Sequence, residues 1–172
     1  STIQMQVRNA VGNPGTSDTQ LITIDTTAPA PVVTPTDDPL NPPAGKASIT
    51  LDSVTADNTV NSTEGAATAV PVTGTVRGEF KAGDIVTLTI NTKTFTGTVA
   101  SNGTFSINVP GADLLADGDT TVAASVGATD VAGNVGNITT TTLYNLDTAG
   151  PSTTVDITAI SQDTGVSSTD FI

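Results

Sequence analysis

An all-β sandwich of seven strands, strung in a tandem array, is the fold this sequence predicts. Three observations carry the prediction. Apolar and polar residues alternate with a period of two in short runs, separated by turn signals at intervals of about 8–12 residues. Threonine supplies about one residue in five, and β-branched side chains suit a pleated strand better than a helix. Short motifs also recur at long spacing. DTTAP (Asp25–Pro29) returns as DTAGP (Asp147–Pro151), and DNTVNSTE (Asp57–Glu64) returns as DTGVSSTD (Asp163–Asp170).

The recurrences define the units. Placing Asp57 on Asp163, an offset of 106 residues (163 − 57), also brings Leu51 onto Ile157, Val54 onto Ile160 and Val60 onto Val166. Placing Asp25 on Asp147, an offset of 122 (147 − 25), brings Pro29 onto Pro151, and the Asn9–Asn13 turn lies close to register with Asp130–Asn134. The two offsets differ by 16 residues (122 − 106), which locates an insertion between Pro29 and Lys46 that is rich in proline. The expected organisation is therefore residues 1–28 as the last strands of a preceding repeat, 29–45 as a Pro-rich linker, 46–151 as a complete repeat, and 152–172 as the first strand of the next. Asp147–Asp170 is one joint of the array, and Asp25–Glu64 is another, lengthened by the insert.

Taken in order, Thr2–Arg8 and Thr19–Ile24 read as strands around the turn chemistry of NAVGNPG. The insert cannot form a helix or a central strand and reads as a polyproline II spacer. Ile49 and Leu51 open the complete repeat, and DNTVNSTE is a turn. Val70, Val72 and Val76 share one face of the next strand, and Val86, Leu88 and Ile90 share one face of the strand after it. Phe95 and Val99 face inward from the return strand. Ser101-Asn102-Gly103 is a hairpin signal. Phe105, Ile107 and Val109 continue the period of two. Gly111–Asp119 is a compact turn, with one helical turn expected around Leu114 and Leu115. Val122, Ala124 and Val126 alternate, DVAGNVG is a loop, and Ile138–Leu146 closes the unit with Tyr144. Seven strands without a helix of useful length fit a Greek-key sandwich of the immunoglobulin type, without the Cys…Trp…Cys signature of antibody domains.

Composition excludes several functions. There is no cysteine and no histidine, so disulfides, thiolate metal sites and the commonest general base are all absent. Seventeen acids against five bases give a net charge of −12, which is wrong for binding nucleic acid. No apolar run approaches the roughly 20 residues of a membrane span. Lys81 and Lys93 sit in turns with no nucleophile partner, so the chain is not read as an enzyme. Aromatic residues are few, and Phe80 is the one candidate for an exposed ring; a carbohydrate- or receptor-binding sandwich is the alternative reading. The core has to be built from Val, Ile, Leu and Ala, so a thin core is expected.

The runs VPVTGTVRGEFKAGDIVTLTINTKTFTGTV (Val70–Val99) and GTFSINVPGADLLADGDTTVAASVGATDVAGNVGN (Gly103–Asn137), with the joint motifs DTTAP, DTAGP and SQDTGVSSTDFI, resemble the tandem bacterial immunoglobulin-like extender repeats of giant type I-secreted RTX adhesins of biofilms and host attachment. The resemblance implies a secreted protein at the bacterial cell surface. In it the repeats act as a spacer, neighbouring repeats are the partners, and host or matrix surfaces are met by other domains. It also implies Ca²⁺ at the joints. By position the ligands would be Asp147, Asp163 and Asp170 downstream, and Asp25, Asp57 and Glu64 upstream. The insert separates the upstream set, where Asp37 and Asp38 are possible substitutes. Asp130 with Asn134 reads either as a turn or as a second site, as do Asp113, Asp117 and Asp119. The chemistry suits the ion, because Ca²⁺ takes 6–8 oxygen ligands and nothing softer competes here. The competing reading is that acids in such turns cap their own backbone.

Overall fold

The structure is a computed structural model and describes residues 2–153. It opens with an antiparallel hairpin, β1 (Thr2–Arg8) and β2 (Pro14–Leu21), in which Arg8 faces Pro14 and Thr2 faces Leu21. The second strand starts earlier than its apolar residues suggest, because the turn at Asn9–Asn13 sets the register. Proline is tolerated there, at the first residue of a strand.

Two four-stranded sheets then face each other. The first contains β3 (Ala30–Pro31), β4 (Lys46–Leu51), then, after β5 (Thr59–Asn61) and the short helix α1 (Ser62–Gly65), β6 (Val70–Gly78). The second contains β7 (Ile85–Ile90) and β8 (Lys93–Thr98). β9 (Thr104–Val109) returns to the first sheet, giving the order β3-β4-β6-β9. After α2 (Gly111–Leu115), β10 (Thr121–Thr129) and β11 (Val135–Leu143) complete the second in the order β11-β10-β7-β8. β12 (Asn145–Asp147) pairs with β5 in a separate parallel ladder. The result is an immunoglobulin-like β-sandwich.

The period of two decides what is inside. Val72 and Val76 of β6, Val86, Leu88 and Ile90 of β7, Phe105, Ile107 and Val109 of β9, and Val122, Ala124 and Val126 of β10 are all buried. Each aliphatic side chain the size of Val or Leu contributes about 1.5–3 kcal/mol on leaving water. Two rings thicken this core, Phe105 and Tyr144, and both are buried. Phe80 is half-buried and packs against the core, so it does not present a ring to solvent.

The hairpin β1–β2 has the register of β10–β11 about its turn. Thr129 faces Val135 across the Asp130–Asn134 turn, just as Arg8 faces Pro14. The same alignment carries Ile3, Met5 and Val7 onto Ala124, Val126 and Ala128. The second trio is buried, whereas the first is 50%, 70% and 75% exposed.

The proline-rich insert behaves differently from the spacer its composition suggests. Its first residues, Ala30 and Pro31, already pair in parallel with Lys46 and Ala47 of β4. Residues 32–45 then form an excursion fastened to the sandwich. Lys46 Nζ lies 2.6 Å from Asp37, whose carboxylate also accepts the Val33 N–H at 2.7 Å. The hydroxyl of the buried Ser48 donates to the Pro39 carbonyl at 2.6 Å, and the Gly45 N–H donates to Glu79 at 2.7 Å. Gly78, at φ +81°, lets Pro42 and the Lys46 carbonyl approach where a Cβ would collide with them. Proline bars the segment from the sheet interior, but polar anchors at Asp37, Lys46, Ser48 and Glu79 fix it all the same.

Candidate functional site

The acids singled out by the repeat lie at two opposite ends of the sandwich. At the exit end, where the chain leaves, β12 lies along β5, with Leu146 opposite Val60 and Asp147 opposite Asn61. Asn58 makes this possible by adopting a left-handed conformation (φ 58°). Its side chain donates to the Leu143 carbonyl at 2.9 Å, and its own carbonyl accepts the Asn145 N–H at 2.9 Å. Asn61 caps α1, accepting the Thr63 and Glu64 N–H groups, while Glu64 reaches back to the Asn61 N–H at 3.0 Å. This capping box satisfies donors that a helix start leaves orphaned. Its signature, Asn61-x-x-Glu64, is present in the sequence inside a stretch read only as a turn.

Tyr144 locks β12 from below. Its hydroxyl donates to the Leu114 carbonyl at 2.7 Å and lies 3.1 Å from Asp117. Burial, reinforced by that carboxylate, pushes the phenol well above its usual range. Asp117 also accepts the Thr121 N–H, and Asp113 is paired with Lys93.

At the entry end, Asp130 accepts both the Asn134 N–H and the Asn134 side-chain amide, each at 2.8 Å. That amide nitrogen also faces the carbonyls of Asp25 at 3.3 Å and Thr27 at 3.4 Å. One amide with two hydrogens therefore meets three oxygens. Pro29 follows, buried, with its carbonyl packed directly on Gly136 of β11. The incoming segment is thus clasped between the Asp130–Asn134 loop and β11. The insert does not separate Asp25 from the sandwich, because it loops out only after the clasp.

The predicted ligands are accordingly placed as follows. Asp57, Glu64 and Asp147 share the exit end. Asp25 and Asp130 share the entry end. Asp163 and Asp170 lie outside the described residues. Each described acid serves its own turn. Asp57 accepts Thr59 N–H and the Thr55 hydroxyl, Asp147 accepts Ala149 N–H, and Asp25 accepts Thr27 N–H. Asp25, Asp57, Glu64 and Asp147 spend one carboxylate oxygen in this way and keep the other for a further ligand. Asp37 is held by Lys46 and Asp38 by the Leu40 N–H, which leaves Asp37 poorly suited to a cation. Among the described residues, no three acidic side chains gather into one metal-binding cluster.

These hydrogen bonds lower carboxyl pKa values. The Asn134 side chain does so for Asp130, the Thr59 N–H and then the Thr55 hydroxyl for Asp57, and Lys46 and then the Val33 N–H for Asp37. A depressed folded-state value stabilises the fold above the unfolded value, about 3.9 for aspartate, and that contribution is lost as pH falls through the folded value. The urea midpoint is therefore expected to hold from neutral pH to about 5 and to drop below about 4. Asp57→Asn with Asp130→Asn should flatten that drop, and an equally steep fall in the double variant would show that other groups carry it.

A cleft of about 860 Å³ opens beside the exit end, lined by residues that include Val54, Glu64, Ala67 and Pro71. It contains no aromatic ring on which a sugar could stack. No helix among the described residues is long and apolar enough to cross a membrane.

Comparison with known proteins adds three solved structures. A bacterial immunoglobulin-like domain from the M. primoryensis ice-binding adhesin is 40% identical, with a TM-score of 0.54, over 58% of this chain and 96% of that one. A structure concerning host cell surface retention of a 1.5-MDa bacterial ice-binding adhesin is 33% identical, with a TM-score of 0.60, over 86% of this chain and 42% of that one. A third, of a Ca²⁺-stabilized adhesin that helps an Antarctic bacterium reach out and bind ice, is 33% identical, with a TM-score of 0.57, over 86% of this chain and 32% of that one. The chain thus spans less than half the length of the last two. No protein-family model matches the sequence, and no curated protein matches it.

Proposed function

The chain belongs to the bacterial immunoglobulin-like domains of large surface adhesins, and from that premise we propose that it is an extender, a stiff spacer whose joints bind Ca²⁺. It forms part of a secreted protein at the bacterial cell surface, and contact with a host, matrix or ice belongs to other domains. The hairpin β1–β2 is the last strand pair of the preceding repeat, whose remaining strands cover Ile3, Met5 and Val7.

One observation carries the reading. Ile24-Asp25 corresponds in the repeat to Leu146-Asp147. Asp147 ends the ladder at the exit end, and the carbonyl of its counterpart Asp25 is already held at the entry end. A single position is therefore the last of one sandwich and the first of the next, so no linker remains between them. Rigidity follows, because a joint without free residues has few torsions to bend about.

The metal site is inferred from the same correspondence. Each sandwich would supply half of a joint: Asp147, Glu64 and Asp57 of the exit end from the repeat before, and the Asp130-type loop, whose carboxylate is already held by its asparagine, from the repeat after. The upstream joint is built likewise, with Asp25 and Asp130 supplied by this chain. The donor set fits Ca²⁺: it is all oxygen, and each exit-end acid keeps one oxygen free. A bound ion there would neutralise clustered carboxylates and restrain the angle between repeats.

The test is chelation of the repeat array. Saturating Ca²⁺ at about 100 times its Kd should add about 2.7 kcal/mol to the units that bind it, and EDTA should lower their melting temperature and broaden the scattering envelope. Identical melting and scattering with and without EDTA would remove the metal from the proposal.

A further inference from the structure

Resting on the extender reading, we propose that Val131, at the tip of the Asp130–Asn134 loop, seats in an apolar cleft on the exit end of the preceding repeat. The counterpart of that cleft in this sandwich is the one lined by Val54, Ala67, Ala69, Val70 and Pro71. Val131 is 108% exposed and Val11 is 80% exposed, the two highest values among the large apolar side chains described. A solitary exposed valine is ordinary on a protein surface. These two, however, occupy loops of the same build. The Asp130 N–H donates to the Asn134 carbonyl and the Asn9 N–H to the Asn13 carbonyl, each at 3.0 Å. Gly133 (φ 95°) and Gly12 (φ 84°) turn the chain back, with their N–H groups on the carbonyls of Asp130 and Asn9. The valine moves by one position between DVAGN and NAVGN and stays in the turn. An exposed apolar tip therefore recurs wherever its hydrogen-bonded frame recurs.

A line of contacts carries this loop to the cleft. Asn134 holds the carbonyls of Asp25 and Thr27, so the loop lies against the end of the preceding repeat. Asp25 corresponds in the repeat to Asp147. Asp147 lies opposite Asn61 in the β5–β12 ladder. The Asn61 N–H is held by Glu64 at 3.0 Å, and Glu64 lines the cleft. Carried over to the preceding repeat, that sequence of contacts brings the cleft and the Val131 loop to the same stretch of incoming chain. The surfaces also suit each other. Val54 and Val70 are buried, whereas Ala67 is half-buried and Ala69 exposed, so the cleft keeps aliphatic surface that a second body can cover. Its volume of about 860 Å³ admits a valine with its turn. Burial of apolar surface needs no opposite charge, so the contact forms between two ends that both carry acids. It also needs no metal, which separates it from the Ca²⁺ site.

The experiment exploits the absence of cysteine from the chain. In EDTA, Val131→Cys should react with a maleimide about tenfold more slowly in the full array than in this chain alone, because a covered thiol is shielded from the reagent. Ala100→Cys, at an exposed position, should react alike in both. Location is tested by a second thiol. Val131→Cys should close a disulfide when the preceding repeat's counterpart of Ala69 is replaced by Cys, which requires Cα atoms within about 7 Å. Replacing the counterpart of Ala112, exposed on α2, should give no such bond. Equal reactivity of Val131→Cys in the two samples would overturn the contact. Slowing that grows with array concentration would assign the cover to a second array and overturn it as well, and closure at the Ala112 counterpart alone would take the contact off the cleft. The extender reading fails by a different result: scattering from a flexible array in saturating Ca²⁺ defeats that reading, whereas a stiff array with a fully reactive Val131→Cys defeats only the contact proposed here.

Discussion

Leu88→Ala is expected to destabilise the complete repeat by about 2–5 kcal/mol, which is a large share of the roughly 5–15 kcal/mol that holds a domain folded. Leu88 is fully buried in the middle of β7. Its register partners are Ala124 on one side and Phe95 on the other. Ala124 is small and cannot fill the space left behind, and the fixed ladders on both sides hinder collapse. The cost is therefore lost transfer free energy plus a residual cavity. At about 4 °C per kcal/mol for a unit of this size, the melting temperature should fall by roughly 8–20 °C. Leu143→Ala is the matched control. Leu143 is 65% exposed, so its truncation should stay within about ±0.5 kcal/mol. Equal losses for the two leucines in a thermal melt would contradict the assignment of the sandwich interior.

The second large effect falls on the entry end. Gly136→Val should expel the incoming segment from its clasp. A Cβ at this position would collide with the Pro29 carbonyl oxygen, a backbone atom that can move only if residues 27–31 move with it. That shift pulls on the Asp25 and Thr27 carbonyls held by Asn134 and on the pairing of Ala30 and Pro31 with β4. Overpacking of this kind costs about 1–3 kcal/mol. The more telling readout is geometric: the distance between labels on the β1–β2 hairpin and on the outer face of β8 should change from one narrow population to a broad one. Gly118→Ala is the control, since a Cβ there meets nothing within 4 Å. A narrow distance distribution in Gly136→Val would show that the clasp does not set the orientation of the hairpin.

Much of the architecture was legible because strand periodicity is a local property. Val86, Leu88 and Ile90, or Val122, Ala124 and Val126, declare their buried face by spacing alone, and the structure buries those faces. The helical turn at Leu114 and Leu115 was legible for the same reason, and appears as α2. The parallel ladder between β5 and β12 was not. Its partners, Thr59–Asn61 and Asn145–Asp147, are far apart in sequence, and each is only three residues long. Strands that short carry no period to read. The proline-rich insert misled for a related reason. Proline content reports correctly that the segment cannot be a central strand, but its attachment to the sandwich comes from Asp37 on Lys46 and Ser48 on the Pro39 carbonyl, contacts that composition does not encode.

The candidate site divides in the same way. The sequence by itself determined the recurring motifs and the all-oxygen side chains within them, because these depend on residue identity and spacing along the chain. Only the tertiary structure decided which acids share an end. Sequence order groups Asp25 with Asp57 and Glu64. The fold instead places Asp25 with Asp130 at the entry end, and Asp57 and Glu64 with Asp147 at the exit end. The reason is physical: a β-strand carries its two termini to opposite ends of a sandwich. Residues on either side of a single strand are therefore separated by its length, while residues many positions apart meet wherever their strands turn.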